Sequence, residues 1–170
     1  MGVQVADLIM AGNVGSFTVG SRTEVPSLAD LPEVHLQLLR RAVIAALATI
    51  NPDGRPQLTP VWCNTDGTSV FLNSKKGRLK DRNLQERPEV TLLLVNPENA
   101  YHWISLKTKV AREIGEDDPA EGRRVTDQLD RIWVKYTRND PPYGLRDPSF
   151  EERRVLFEMA VLKVATFGQP

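Results

Sequence analysis

The sequence predicts a mainly β fold of the α+β class, in which six strands in hairpin order form a small, mainly antiparallel barrel with helices inserted between some of them. Three observations lead there. Short apolar or alternating runs recur between clusters of turn residues: Asn51-Pro52-Asp53-Gly54, Asp66-Gly67 and Asn96-Pro97-Glu98-Asn99. Helical spacing appears in only a few intervals, so the regular strand-helix alternation of a parallel sheet is missing. The final run, residues 153–167, is apolar on both faces, as a central strand is.

Residues 1–27 mix Gly, Ser, Thr and Val without a sustained period and are expected to be an N-terminal extension, an arm loosely attached to the domain at 28–170. Pro32 stands where a first helical position belongs, and Val34, Leu38 and Leu39 make a short apolar stripe ending at Arg40-Arg41. Residues 42–50 form a buried strand. The chain turns at Pro52-Asp53-Gly54, because proline fixes φ and glycine accepts a positive one, then resumes extended structure over 56–64. A third strand covers 69–73, and a short helix covers 77–86, stopping before Pro88. After the dense apolar run 90–95 comes a long strand, 101–114, that alternates cleanly. Ile104, Leu106, Thr108, Val110 and Ile114 share one face; Tyr101, Trp103, Ser105, Lys107 and Lys109 share the other. Asp118-Pro119-Ala120-Glu121 reads as an N-cap, a first-turn proline and a capping glutamate. Val125, Leu129, Ile132, Trp133 and Tyr136 follow at helical spacing, and residues 139–148 are a proline-rich loop.

The chain's 170 residues suit one domain. Its 22 Lys and Arg balance 22 Asp and Glu, which argues against a nucleic-acid binder relying on a domain-wide positive field. A single cysteine, Cys63, excludes an internal disulfide framework and fits a reducing cytoplasm. The start carries no targeting pattern, and the longest apolar stretch, 42–50, is too short to span a bilayer, so a soluble cytoplasmic protein without membrane attachment is expected. Met1-Gly2 does not make a myristoylation signal, since Ala6 stands where Ser or Thr is required.

Familiar catalytic patterns are absent: no P-loop, no nucleophile elbow, no paired-cysteine zinc site, and two histidines, His35 and His102, are too few for a histidine-rich metal centre. His35 and Cys63 read as packed structural side chains. The dense signal is Ser74-Lys75-Lys76-Gly77-Arg78-Leu79-Lys80-Asp81-Arg82-Asn83, with five basic residues in eight positions where a strand opens into a helix. Helix-start amides, a glycine that lets the backbone approach, and arginine forks suit a phosphate. Spacing alone serves a solvated charged face equally well. Trp103 beside Lys107 and Lys109 is an odd surface for a strand that merely meets water, and fits an aromatic anionic ligand or a subunit interface. On the strand 56–64, Gln57, Thr59, Val61 and Cys63 share one face and Leu58, Pro60 and Trp62 the other; the pattern does not choose between them.

The runs Ala46-Leu47-Ala48-Thr49-Ile50, Pro52-Asp53-Gly54-Arg55-Pro56-Gln57-Leu58-Thr59-Pro60-Val61-Trp62 and Gly77-Arg78-Leu79-Lys80-Asp81-Arg82-Asn83-Leu84, with Pro88 and Val90 after them, resemble the flavin/deazaflavin oxidoreductase superfamily. Within it they are most similar to the branch that uses the deazaflavin coenzyme F420, related to pyridoxamine 5'-phosphate oxidases. The likeness spans residues 31–167. It implies a split β-barrel of the FMN-binding type, forming a homodimer with two cofactor sites at the subunit interface. By this resemblance the basic segment, Ser74, Lys75, Lys76 and Gly77 with Arg78, Lys80, Arg82 and Asn83, holds the coenzyme's phosphate and acidic tail. Gln57, Thr59, Pro60 and Val61 lie along the tricyclic ring, and Tyr101 and Trp103 approach from the other subunit. The chain departs from the pattern at Asp81, where a small residue is usual, and at Lys107 and Lys109, where arginines are common.

The activity implied is hydride transfer between F420 and an unsaturated small organic substrate. That chemistry asks the protein mainly to hold a ring against an electron-poor double bond, which accounts for the missing triad. Solvent, Tyr101, Tyr136 or Tyr143 are the candidate proton sources. Two alternatives remain: an FMN enzyme of the same fold, and a flavin or tetrapyrrole binder without turnover.

Overall fold

The computed structural model describes residues 2–10, 17–146, 149 and 151–170. Nine strands, β1 (Val3–Met10), β2 (Phe17–Val25), β3 (Ala45–Ile50), β4 (Pro56–Val61), β5 (Cys63–Thr65), β6 (Ser69–Lys75), β7 (Glu89–Asn96), β8 (Asn99–Gly115) and β9 (Arg154–Phe167), form one mixed sheet. Among the described residues three α-helices accompany it: α1 (Glu33–Arg40), α2 (Leu79–Glu86) and α3 (Gly122–Thr137).

The hydrogen-bonded order is β2-β1-β9-β8-β7-β3-β4, and β6, carrying β5, lies on the same edge of β9 as β1. Strand β9 is long enough for both neighbours: residues 154–160 pair with β6 and residues 163–167 with β1. Its two-sided apolar pattern is the reason it can sit centrally, with Val155, Leu156, Phe157 and Met159 all fully buried. The alternation of β8 is as expected: Ile104, Leu106 and Thr108 are buried while Tyr101, Lys107 and Lys109 are exposed.

The mainly β, split-barrel expectation holds, but the sheet is not a closed barrel and six strands is an undercount. The extended run 56–64 is two strands. It breaks at Trp62, so β4 pairs with β3 while β5 pairs with β6. At the break Trp62 stacks on Tyr136 of α3, with ring centroids 5.0 Å apart and planes 6° apart. The other two extra strands come from the segment expected to be a loose arm. Residues 3–10 and 17–25 pair antiparallel, β1 joins β9 in parallel, and Val3 and Val5 are buried in the main apolar core. A hydrophobic period was hidden there because only β1 has a covered face.

Helix α3 buries Val125, Leu129, Ile132 and Trp133 at the expected spacing; α1 buries Leu38 and Leu39 as expected but adds His35 and Leu36 and leaves Val34 half-buried. The start of α3 differs. Asp118 Oδ1 accepts from the N–H groups of Ala120 and Glu121 at 2.8 and 2.9 Å, closing a separate turn, and the helix begins at Gly122. Glu121 is therefore not a capping glutamate; it pairs with Arg112 and Arg124.

His35 of α1 and His102 of β8 are both buried, with ring centroids 5.4 Å apart. Burial lowers the pKa of each below 6.5, and for His35 the neighbouring His102 lowers it further. The unfolded chain thus binds more protons than the folded one below pH 6.5, so this pair leaves stability intact above that value and erodes it as pH falls beneath it. Urea unfolding at about pH 7.5 and about pH 5 should show that loss in the native chain and a smaller one in the His35→Gln/His102→Gln variant.

Candidate cofactor site

The turn from β6 into α2 carries the basic segment. Gly77 takes φ +81°, a conformation side-chain-bearing residues rarely adopt, which lets the chain reverse into the helix. Its N–H donates to Asp81 Oδ2 at 2.5 Å, and Asp81 is only 1% exposed. Asp81 does more than lower the local charge: its carboxylate occupies the Gly77 backbone donor. Replacing it with alanine frees that N–H and removes a negative group, so inorganic phosphate should bind several-fold more tightly to Asp81→Ala. Thermal shift against rising phosphate checks this.

Other members of the segment are tied into the fold. The Asn83 amide, fully buried, donates to Asn51 Oδ1 at 2.9 Å, Thr49 Oγ1 at 3.1 Å and Gln57 Oε1 at 3.4 Å, fastening α2 to β3 and β4. Ser74 is buried within β6. Lys75 pairs with the buried carboxylate of Glu152, which also pairs with Arg154. Asn83, Gln57, Ser74 and Lys75 thus support the site by holding its walls. Lys76, Arg78 and Arg82 are exposed and Lys80 is half-buried, and none of the four has a carboxylate partner within ion-pair distance among the described residues.

Beside Lys80 a cleft of about 350 Å³ opens between the β4–β5 corner, β6, α3 and the loop after α3. Pro60, Val61, Trp62, Leu129, Ile132 and Leu145 give it apolar walls; Lys80, Asn73, Tyr143 and Arg154 give it polar points. Asn73 Nδ2 donates to the Val125 carbonyl at 3.3 Å, while its Oδ1 is buried with no partner. Burial, with the like charges of Arg78 and Arg154, lowers the Lys80 pKa. An anion beside Lys80 would relieve that penalty.

The three candidate tyrosines differ sharply. Tyr136 donates its hydroxyl proton to the Val43 carbonyl at 2.7 Å and accepts from the Cys63 N–H at 3.2 Å; burial pushes its pKa up. Tyr101 is 63% exposed and does not line the cleft. Tyr143 lines it, and its hydroxyl oxygen accepts from Arg154 Nη2 at 3.1 Å. The loop that carries Tyr143 is fixed by Tyr143 N–H donating to Asp130 at 2.8 Å and Trp133 Nε1–H donating to the Asp140 carbonyl at 3.1 Å. Of the loop 139–148, residues 147 and 148 lie outside the described residues.

Thr59 and Pro60 border a second, apolar concavity of about 300 Å³ with Ile44, Leu58, Leu93 and Val95. Strand β7 places Val95 directly across from Trp103 of β8, so Tyr101 and Trp103 belong to this outward apolar face. Within one chain the structure does not bring them to the Lys80 cleft. Sequence reasoning missed Asn73 and Arg154, which stand in ordinary strand patterns, and Leu129 and Ile132, whose helical spacing marks only a buried face.

Residues 31–167 match the family model of pyridoxamine 5'-phosphate oxidase. The chain belongs to that family. Among solved structures, an F420 reductase shares 24% identity with it, over 79% of this chain and 98% of that one, with a TM-score of 0.62. A conserved hypothetical protein from Mycobacterium tuberculosis shares 22% identity over 77% of this chain and 80% of that one, with a TM-score of 0.58. HutZ, the heme storage protein of Vibrio cholerae, shares 13% over 78% and 92%, with a TM-score of 0.56. At these identities the likeness concerns the fold. No curated protein sequence matches the chain closely enough to count as a relative. No helix of the described residues is long and apolar enough to cross a membrane.

Proposed function

We propose that this member of the pyridoxamine 5'-phosphate oxidase family is a coenzyme F420-dependent oxidoreductase, transferring a hydride between the deazaflavin and an unsaturated small organic substrate. The observation that carries the reading is the set of four cations around the turn into α2, Lys76, Arg78, Lys80 and Arg82, that lack a carboxylate partner among the described residues, with Lys80 lining an apolar-walled cleft and Arg78 close enough to lower its pKa. One phosphate leaves most of that charge unmatched; a phosphate followed by an acidic tail matches it. The F420 reductase of the same fold points the same way.

The residues present fit such a group. Pro60, Val61 and Trp62 offer an apolar wall, and Asn73, whose Oδ1 has no hydrogen-bond partner, lines the same cleft as a polar point. Lys80 would hold the phosphate and Arg78, Arg82 and Lys76 the tail. When bound, the deazaflavin supplies a two-electron hydride donor or acceptor. The chain's own part is to bind, orient and exclude water, with the Tyr143 hydroxyl, held by Arg154, placed to pass a proton.

A homodimer belongs to this reading. Ile44 (55% exposed), Leu58 (69%) and Tyr101 (63%) lie on one apolar outward face with Leu93 and Val95, more than a monomer of this size ordinarily leaves to water. A second subunit there would bring its Tyr101 and Trp103 toward the neighbouring site. Light scattering at micromolar concentration should give at least a dimer; a monomer overturns it.

Equilibrium titration of the apoprotein with F420, FMN and hemin, followed through quenching of tryptophan fluorescence, tests the cofactor. F420 should bind at least about tenfold more tightly than FMN, the increment of one charge-assisted contact. Preference for FMN transfers the reading to a flavin enzyme, and preference for hemin to a tetrapyrrole binder.

A further inference from the structure

The two ends of the main sheet path are built differently. Strand β4, at one end, carries Pro56 and Pro60, which lack the N–H that an added strand would need. Strand β2, at the other end, has no proline, and residues 18–24 are exposed along it. Such an edge is a ready template for another strand.

The β1–β2 register narrows what can pair there. Asp7 stands across from Ser21 and Leu8 across from Val19, so Gly20 has no partner and bulges. The regular part of the free edge is therefore residues 21–25, bounded by the bulge on one side and Pro26 on the other, with Thr23 at its centre. Arg22 and Glu24 flank Thr23. Their partners inside the chain are Ala6 and Gln4, and neither charge has an ion-pair partner among the described residues. An open groove of about 600 Å³, lined by Arg22, Thr23 and Glu24 with Gln4, Ala6 and Lys163, runs beside this stretch and leaves room for incoming side chains.

We propose that residues 21–25 of β2 form a self-complementary docking edge for a second copy of this chain. Antiparallel pairing about a two-fold axis through Thr23 sets Arg22 of each copy across from Glu24 of the other, so both lone charges are matched twice and no like charges meet. A five-residue ladder with two cross-strand ion pairs joins the copies, and their sheets become continuous. The family match begins at residue 31, so this contact belongs to an addition that the matched region does not contain. It lies at the opposite end of the path from the apolar face near β4 and is independent of it and of the cofactor reading.

Light scattering of the full chain at about 50 µM tests the pairing through charge exchange. Arg22→Glu and Glu24→Arg each put like charges opposite one another twice, and each should halve the assembly mass. The double variant Arg22→Glu/Glu24→Arg restores opposite charges and should regain the native mass. Equal masses for all four proteins would overturn the proposal. Thr23→Cys gives a second reading that does not depend on the charge variants folding well. Residues facing each other in an antiparallel pair have Cα atoms about 4.5 to 5.5 Å apart, within disulfide range. The native Cys63 is fully buried. Mild oxidation should therefore cross-link Thr23→Cys into a covalent dimer and leave Thr18→Cys, beyond the bulge, unlinked; equal cross-linking of both, or of neither, overturns the register.

Discussion

Lys80→Ala should weaken F420 binding by roughly tenfold to a hundredfold, since a charge-assisted hydrogen bond contributes about 1.5 to 3 kcal/mol. Lys80 is the cation of the segment that combines partial burial, an apolar cleft and no carboxylate partner within ion-pair distance among the described residues, so an anion there meets it with little screening. Arg78→Ala, at an exposed position, should cost less and should lose its effect at high salt. Titration of F420 into both variants at two salt concentrations measures this, with turnover at saturating cofactor as the control. Unchanged affinity in Lys80→Ala would mean that the basic segment is a solvated face and would remove the main support for the cofactor site.

Arg154→Ala should be among the most damaging single substitutions for stability, by about 3 to 5 kcal/mol. Arg154 is 6% exposed, pairs with a Glu152 side chain that is 2% exposed, donates to the Tyr143 hydroxyl and lies 4.8 Å from the centroid of its ring. Removing it leaves the buried carboxylate with one ion-pair partner among the described residues, Lys75, whose side chain is partly in water, and with Arg146 nearby. The Glu152→Gln/Arg154→Met variant carries no buried charge at either position and should recover most of the loss. Denaturant unfolding of the two variants decides the matter, and an Arg154→Ala protein within about 1 kcal/mol of the native chain would show that the ion pair is solvated rather than enclosed.

The cofactor site was legible where its residues announce themselves by type. A run of cations after a strand is visible in any reading of the chain, and the Gly77 turn marks the reversal that opens α2. What the run could not show is which cations are already engaged. Lys75 and Lys76 are adjacent in sequence and chemically identical, yet Lys75 faces Glu152, a residue 77 positions away along the chain, and Lys76 faces water. Asn83 gave no sign that its amide fastens three elements together, because its partners Thr49, Asn51 and Gln57 come from other strands and turns. The same holds for the three tyrosines: equal candidates by composition, they part company only when Tyr136 finds the Val43 carbonyl and Tyr143 finds Arg154.

By itself the sequence determined the elements whose signals are local. The alternation of β8, the two-sided apolar pattern of β9, the spacing of α3 and the turn at Gly54 are each fixed within a few neighbouring residues, and burial follows directly from them. Tertiary structure alone decided the break at Trp62 and the attachment of residues 3–10 and 17–25 to the sheet. Both depend on a partner distant in the chain: Tyr136 for Trp62 and the far end of β9 for β1. A strand's hydrophobic period records only the face it buries, so β1, covered by a neighbour that arrives more than 150 residues later, looks like an arm until β9 is in place beside it.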